Sequence, residues 1–176
     1  MKTYAKLEAG ALRMMERVPN VINPTDTQRA DYAAAHGFKE LSRTEKPGRY
    51  YAQGWHETAK LITETWTAWE LGEAKKDALQ TVQARLDASL DARATIPCEG
   101  FPAGIVYDRN ALINVGGLAA GDTFIDAADG LHTLTAADVE TITTALKAHR
   151  QGLYAQATQS RTAIAAAQTV DELPQD

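Results

Sequence analysis

Tyr50, Tyr51, Trp55, Trp66 and Trp69 crowd one short stretch of this sequence. They are the constellation whose residue types most clearly point to a task. Aromatic side chains on a small sheet serve either as its core or as a recognition surface. Core is the commoner use, yet a module of this size leaves one face of a hairpin uncovered until a partner arrives. The five aromatics are therefore candidate partner-binding residues. His149 and Leu153 join them, because both fall on the apolar stripe of a long C-terminal helix. A histidine there is either a satisfied core or boundary residue or a polar layer that sets the register of a partner.

Residue types that could do bond chemistry do not assemble into a site. His36, His56, His132 and His149 stand outside metal-ligand spacing of one another and of Cys98. Ser42, Ser89 and Ser160 lack a nucleophile-elbow context. Cys98, between Pro97 and Glu99, has a setting that raises a thiol pKa and weakens it as a nucleophile. Asp122, Asp126 and Asp129 lack the alternation and terminal Glu of a calcium loop and read as turn formers. Gly116, Gly117 and Gly121 precede no Lys-Ser or Lys-Thr and so make no phosphate cradle. A carboxylate pair spaced for glycoside hydrolysis is compatible with the many acidic residues, but nothing singles one out. The expectation is a protein that is not an enzyme, with no catalytic, cofactor-binding or metal residues.

Charge and cysteine usage narrow the partners. Eighteen Lys and Arg against 23 Asp and Glu leave a formal net charge of −5 over 176 residues. That balance supplies no cationic field for nucleic acid or an anionic membrane. With Cys98 alone there is no internal disulfide, which fits a reducing cytoplasm. The first residues, Met1 to Lys6, lack the apolar core of a secretory signal, and no apolar run approaches the roughly 18 residues of a spanning helix. A soluble protein is expected.

Patterning along the chain places these residues on elements. Lys2 to Met15 suits a small hairpin turning at Ala9-Gly10. Thr25 or Asp26 can cap a short helix that stops at Gly37, and Arg43 to Gly48 is a polar loop. Tyr50 to His56 and Leu61 to Trp69 are aromatic and β-branched runs that predict a hairpin. Composition turns Ala-rich and polar at Leu71-Gly72. From there Leu79, Val82, Leu86 and Leu90 draw one stripe along a helix from about Glu73 to Ala94, ended by Ile96-Pro97. Ile105 to Tyr107 predicts a short strand, Asp108 a cap for a brief helix, and Asp129-Gly130 the turn of a second small hairpin. Thr135 to Asp138 has the form of a capping box. It opens a helix striped by Val139, Ile142, Leu146, His149, Leu153 and Ile164, a rod of roughly 48 Å. Asp171 to Asp176 reads as a frayed acidic end.

Several of these features together carry a resemblance: the mixed-charge opening of the helix near Lys75, the loop Gly100-Phe101-Pro102, the strand end Val106-Tyr107-Asp108, the start Leu134 to Asp138 and the closing Ile164 to Ala167 with Thr169-Val170. The stretch from about Lys75 to Leu173 resembles a domain of unknown function that recurs in tail-fibre gene neighbourhoods of phages and prophages. Asn23 to Asp26 before a short helix, with the Tyr-Tyr to Trp hairpin, is similar to segments of small tail-fibre assembly proteins. The sequence departs from that pattern in lacking a longer Pro-rich linker. The resemblance implies contact with a fibre or baseplate protein, as assembly chaperone or retained component. It carries over no functional residues.

Taken together, these readings predict an α+β protein. A small N-terminal β-hairpin module with a short helix occupies residues 1–70. A long antiparallel helical hairpin with a short β insert occupies residues 71–176, its surplus length free to pair between chains. The expected role is non-enzymatic, through contacts with a phage tail-fibre or baseplate protein or a homo-oligomer. The place is the bacterial host cytoplasm during assembly, or the virion tail. The alternative is a receptor- or carbohydrate-binding module whose tryptophans stack on sugars.

Overall fold

The computed structural model describes residues 2–19 and 21–175. The chain divides into two compact units, Met1–Leu71 with Gln175–Asp176, and Gly72–Pro174.

The first unit is a five-stranded mixed sheet with one helix. β1 (Tyr4–Glu8) and β2 (Ala11–Met14) form an antiparallel hairpin. Its two-residue turn places Ala9 at φ 51° and Gly10 at φ 82°, the paired left-handed conformation that matches strand twist. Thr25 then starts α1 (Asp26–Ala35) through the reciprocal capping box: the Gln28 amide donates to the Thr25 hydroxyl at 3.2 Å, and the Thr25 amide to the Gln28 side chain at 2.9 Å. β3 (Lys39–Ser42) follows, then β4 (Tyr51–Glu57) and β5 (Leu61–Ala68). The strand order is β2-β1-β3-β5-β4. β4 pairs antiparallel with β5, and β3 pairs parallel with β5.

The registers sort side chains onto two faces, because strand residues alternate. One face buries Ala5, Leu41 and Ile62, with Leu7, Leu12, Met14 and Trp55 packed around them. On the other, α1 lays Ala33 against Tyr4 and Met15, flanked by Ala30, Tyr32 and Phe38.

The second unit holds α2 (Leu71–Asp91), β6 (Ala94–Cys98), β7 (Phe101–Tyr107), α3 (Ala111–Val115), β8 (Thr123–Ile125), β9 (Leu131–Thr133), α4 (Ala136–Ala166) and a final 3₁₀ turn, Val170–Glu172. β6–β7 and β8–β9 are separate antiparallel ribbons. Pro97 sits within β6, where the register shifts between Ile96 and Cys98, a place that tolerates a missing N–H. Gly104 of β7 stands at φ +77°, and a Cβ there would lie 2.7 Å from the Ile96 carbonyl oxygen, so only glycine lets the ribbon close. The core gathers Ile96, Phe101, Ile105, Tyr107, Ala111, Val115 and Leu134 around Ile142 and Leu146 of α4.

This architecture corrects the expected fold class. The chain is a mixed α/β protein with nine strands among the described residues, and a long helical hairpin with a short β insert does not organise it. The N-terminal half is a five-stranded sheet, because β3 bridges the two hairpins. In the second unit the first half of α4 packs on the β6–β7 ribbon and α3, whose aromatic and branched side chains supply that core. The length expected to be surplus is thereby covered. α2 runs beside the later part of α4, tied by the Lys75 ammonium donating to the Ala165 carbonyl at 2.9 Å.

Local readings of the helices also shift. α2 buries Ala74, Ala78, Val82, Leu86 and Leu90, so its stripe passes through Ala78, and Leu79 is exposed. α2 ends at Asp91, before a strand that the sequence reading missed. Within the acidic end expected to fray, Leu173 is buried, as is Val170 just before it; Asp176 lies outside the described residues.

Candidate functional site

The five aromatics do not form one surface. Trp55 lies opposite Glu64, Gln53 opposite Trp66 and Tyr51 opposite Ala68. Alternation therefore sets Tyr51, Trp55 and Trp66 on the face that carries Ala5, Leu41 and Ile62. Tyr50 and Trp69 have the opposite parity, just beyond the strand ends. The Trp69 amide donates to the Tyr50 carbonyl at 2.9 Å, and the rings meet edge to face with centroids 5.9 Å apart. Tyr50 is buried core and Trp69 is exposed.

Around Trp66 the sheet face is built from polar contacts. Its indole Nε1 donates to the Thr44 hydroxyl at 3.1 Å. The Thr44 amide donates to Glu64 Oε2 at 3.0 Å, and the Gln53 side-chain amide donates to Glu64 Oε1. Glu64 is buried, and neutral amide donors satisfy its charge. Lys46 stands 5.9 Å from the centre of the Trp66 ring. The loop before β4 thus crosses this face and holds Trp66 half-buried, while Trp55 packs on the apolar cluster. Neither Glu64 nor Thr44 was singled out from the sequence, since only strand pairing brings them together.

β4 is the outer strand of the sheet. The Trp69-to-Tyr50 bond, and the Thr58 amide donating to the Leu61 carbonyl at 2.8 Å, set the alternation along the hairpin. Even-numbered residues of β4 bond to β5, so the backbone groups of Gln53, Trp55 and Glu57 point away from the sheet.

In the second unit, His149 is half-buried and stands edge to face on Tyr107 at 4.6 Å. Leu153 packs against the core and lines a cleft of about 340 Å³ beside Val82, Leu86 and Ala157. Neither belongs to the sheet that carries the tryptophans. Asp126, buried beneath the β8–β9 turn, accepts from the Ala128 and Gly130 amides at 2.9 and 2.8 Å. His132 Nε2 lies 2.8 Å from its other oxygen. The His132 contact first, then those two amides, holds the Asp126 carboxyl below its ordinary value. This is the work of a turn-forming aspartate. Burial, then the Asp138 and Glu99 carboxylates, pushes the Cys98 thiol up, which leaves it a weak nucleophile.

Among the described residues, no three His, Cys, Asp or Glu side chains converge as metal ligands would. No helix among them is long and apolar enough to cross a membrane. Fold and side chains together define a two-unit α/β protein whose distinctive surface is an aromatic sheet face beside an outer strand. The chain belongs to the family described as Domain of unknown function (DUF4376), whose profile matches residues 73–176. No curated protein and no solved structure matches the chain.

Proposed function

We propose that this protein works by binding rather than catalysis, as an assembly partner or structural component of a phage tail fibre, and that β4 is the strand its partner engages. The observation that carries the binding mode is the state of that edge. Beyond Tyr51, which has a partner of its own, β4 keeps unbroken register with β5 through Glu57, and the strand contains no proline and no lysine. Proteins guard an edge with such residues, with bulges or with short strands, because outward backbone groups template the addition of another strand. The opposite edge, β2, is four residues long and carries Arg13. Trp55 offers both an outward backbone and a large apolar ring, which suits a partner strand that lays side chains across the same face. The tail fibre as partner rests on the sequence resemblance through Gly100-Phe101-Pro102 and Leu134 to Asp138.

Affinity capture from phage-infected or prophage-induced cells tests this reading. Wild-type protein is expected to retain a tail-fibre or baseplate protein, and Glu57→Pro to lose it. The Glu57 amide points outward, so that substitution spares the β4–β5 ladder. Capture of no tail protein would sink the proposal. Mass spectrometry of purified particles then separates a chaperone, absent from them, from a component present at fixed copy number.

A further inference from the structure

A second group of side chains in the DUF4376 unit gathers around one cleft. Tyr107, the last residue of β7, is 1% exposed overall with its ring edge to face on His149, and its hydroxyl, which bonds no group among the described residues, is not sealed in the core. Tyr107 lines a cleft of about 240 Å³ together with Asp87, Leu90, Arg109, Arg150 and Tyr154. Arg109 is committed at the rim: its Nε lies 2.5 Å from Asp91 Oδ1, and its Nη2 3.9 Å from Asp87 Oδ1.

Arg150 differs. Its guanidinium centre is 5.8 Å from the Tyr154 ring, and no carboxylate lies within ion-pair distance among the described residues. A guanidinium beside two phenols is a donor array without an acceptor of matching charge. Burial raises the Tyr107 hydroxyl above its ordinary value despite Arg150 and Arg109 nearby, so at neutral pH it keeps its proton and can donate.

We propose that the cleft between Tyr107, Arg150 and Tyr154 binds a compact oxyanion, a phosphoryl or carboxylate group. The Arg150 fork matches either group in geometry and charge, and the Tyr107 hydroxyl supplies a donor from the floor. Asp87 and Asp91 do not suit the cleft for a cation, because both are spent on Arg109. The cleft is small, which limits the bound part to the anionic head.

The test titrates inorganic phosphate and, separately, acetate into the full chain, with sodium chloride of equal ionic strength as control. Amide NMR shifts and melting temperature are read for wild type, Tyr107→Phe and Arg150→Gln. Saturable shifts around residues 107, 150 and 154 are expected, with affinity falling about tenfold in each variant, the loss of one charge-assisted bond. Tyr107→Phe without anion should melt at or above the wild-type temperature, because it removes an unpaired hydroxyl. A stronger response to phosphate assigns a phosphoryl ligand, and a stronger response to acetate a carboxylate. Shifts that chloride reproduces, that never saturate or that both variants retain would overturn the site. So would a Tyr107→Phe protein that melts lower than wild type, since the hydroxyl would then be structural.

Discussion

The indole of Trp66 donates to the hydroxyl of Thr44, 22 residues earlier in the chain, and the backbone amide of Thr44 donates to the carboxylate of Glu64. One threonine thus ties the loop before β4 to two neighbouring side chains on the same sheet face. Thr44→Val keeps the shape and removes the hydroxyl. The hydroxyl also donates to the Glu64 carbonyl at 3.3 Å, so the expected loss is about 1–2 kcal/mol of unfolding free energy, the net worth of two such bonds. Urea denaturation measures it, and an unchanged midpoint would show that the loop does not hold Trp66.

Acid should weaken the β8–β9 turn through Asp126. Its folded pKa lies below the ordinary value of 3.8, with the His132 contact the largest cause. A depressed carboxylate contributes stability that is present above the unfolded pKa and is lost as pH falls through the folded one. Wild type should therefore melt higher than Asp126→Asn at neutral pH, and the gap should close as pH falls from the unfolded value of 3.8 through the folded one below it. Thermal melts across that range check it. A gap that widens with acid would reverse the sign and refute the assignment.

The two apolar stripes make a paired prediction. Ile142 is 0% exposed at the centre of the second unit's core, whereas Leu79 is 41% exposed. Ile142→Ala is expected to cost about 2–5 kcal/mol, as buried large-to-small changes do. Leu79→Ala should stay within about 0.5 kcal/mol of wild type. Chemical denaturation of both variants decides between the observed stripe through Ala78 and the sequence-based one through Leu79.

Local chemistry was legible where a few adjacent residues determine their own conformation. The Ala9-Gly10 turn, a cap at Thr25 or Asp26, the Thr135 capping box, the β4–β5 hairpin and the Asp129-Gly130 turn all follow from short-range rules. The candidate surface was legible only in part. Trp55 and Trp66 share a face, but Tyr50 is core and Trp69 lies apart from them. Period-2 counting cannot reveal this until the register is known, since a slip of one residue reverses every side chain.

Long-range pairing is where the reading departed from the structure. β3 is four residues long with one buried side chain, too weak a pattern to announce a strand, yet it joins two hairpins into one sheet. Helix α4 shows an apolar stripe, but a stripe does not say what covers it. The nearest helix in sequence was the natural candidate, and the β6–β7 ribbon with α3 took most of that role. Tyr107, Arg150 and Tyr154 meet across a strand and a helix more than 40 residues apart in the chain, so no spacing rule could have grouped them.

By itself the sequence determined the acidic balance, the single cysteine, the turns and helix starts, and the aromatic enrichment of β4 and β5, because composition and nearest neighbours suffice for these. The tertiary structure alone decided which face each aromatic joins, which strand lies at the edge, what α4 packs against, and that a buried phenol and an arginine free of carboxylates face one cleft. Those outcomes depend on the total area that competing long-range contacts bury, a quantity that belongs to the whole chain and not to any segment of it.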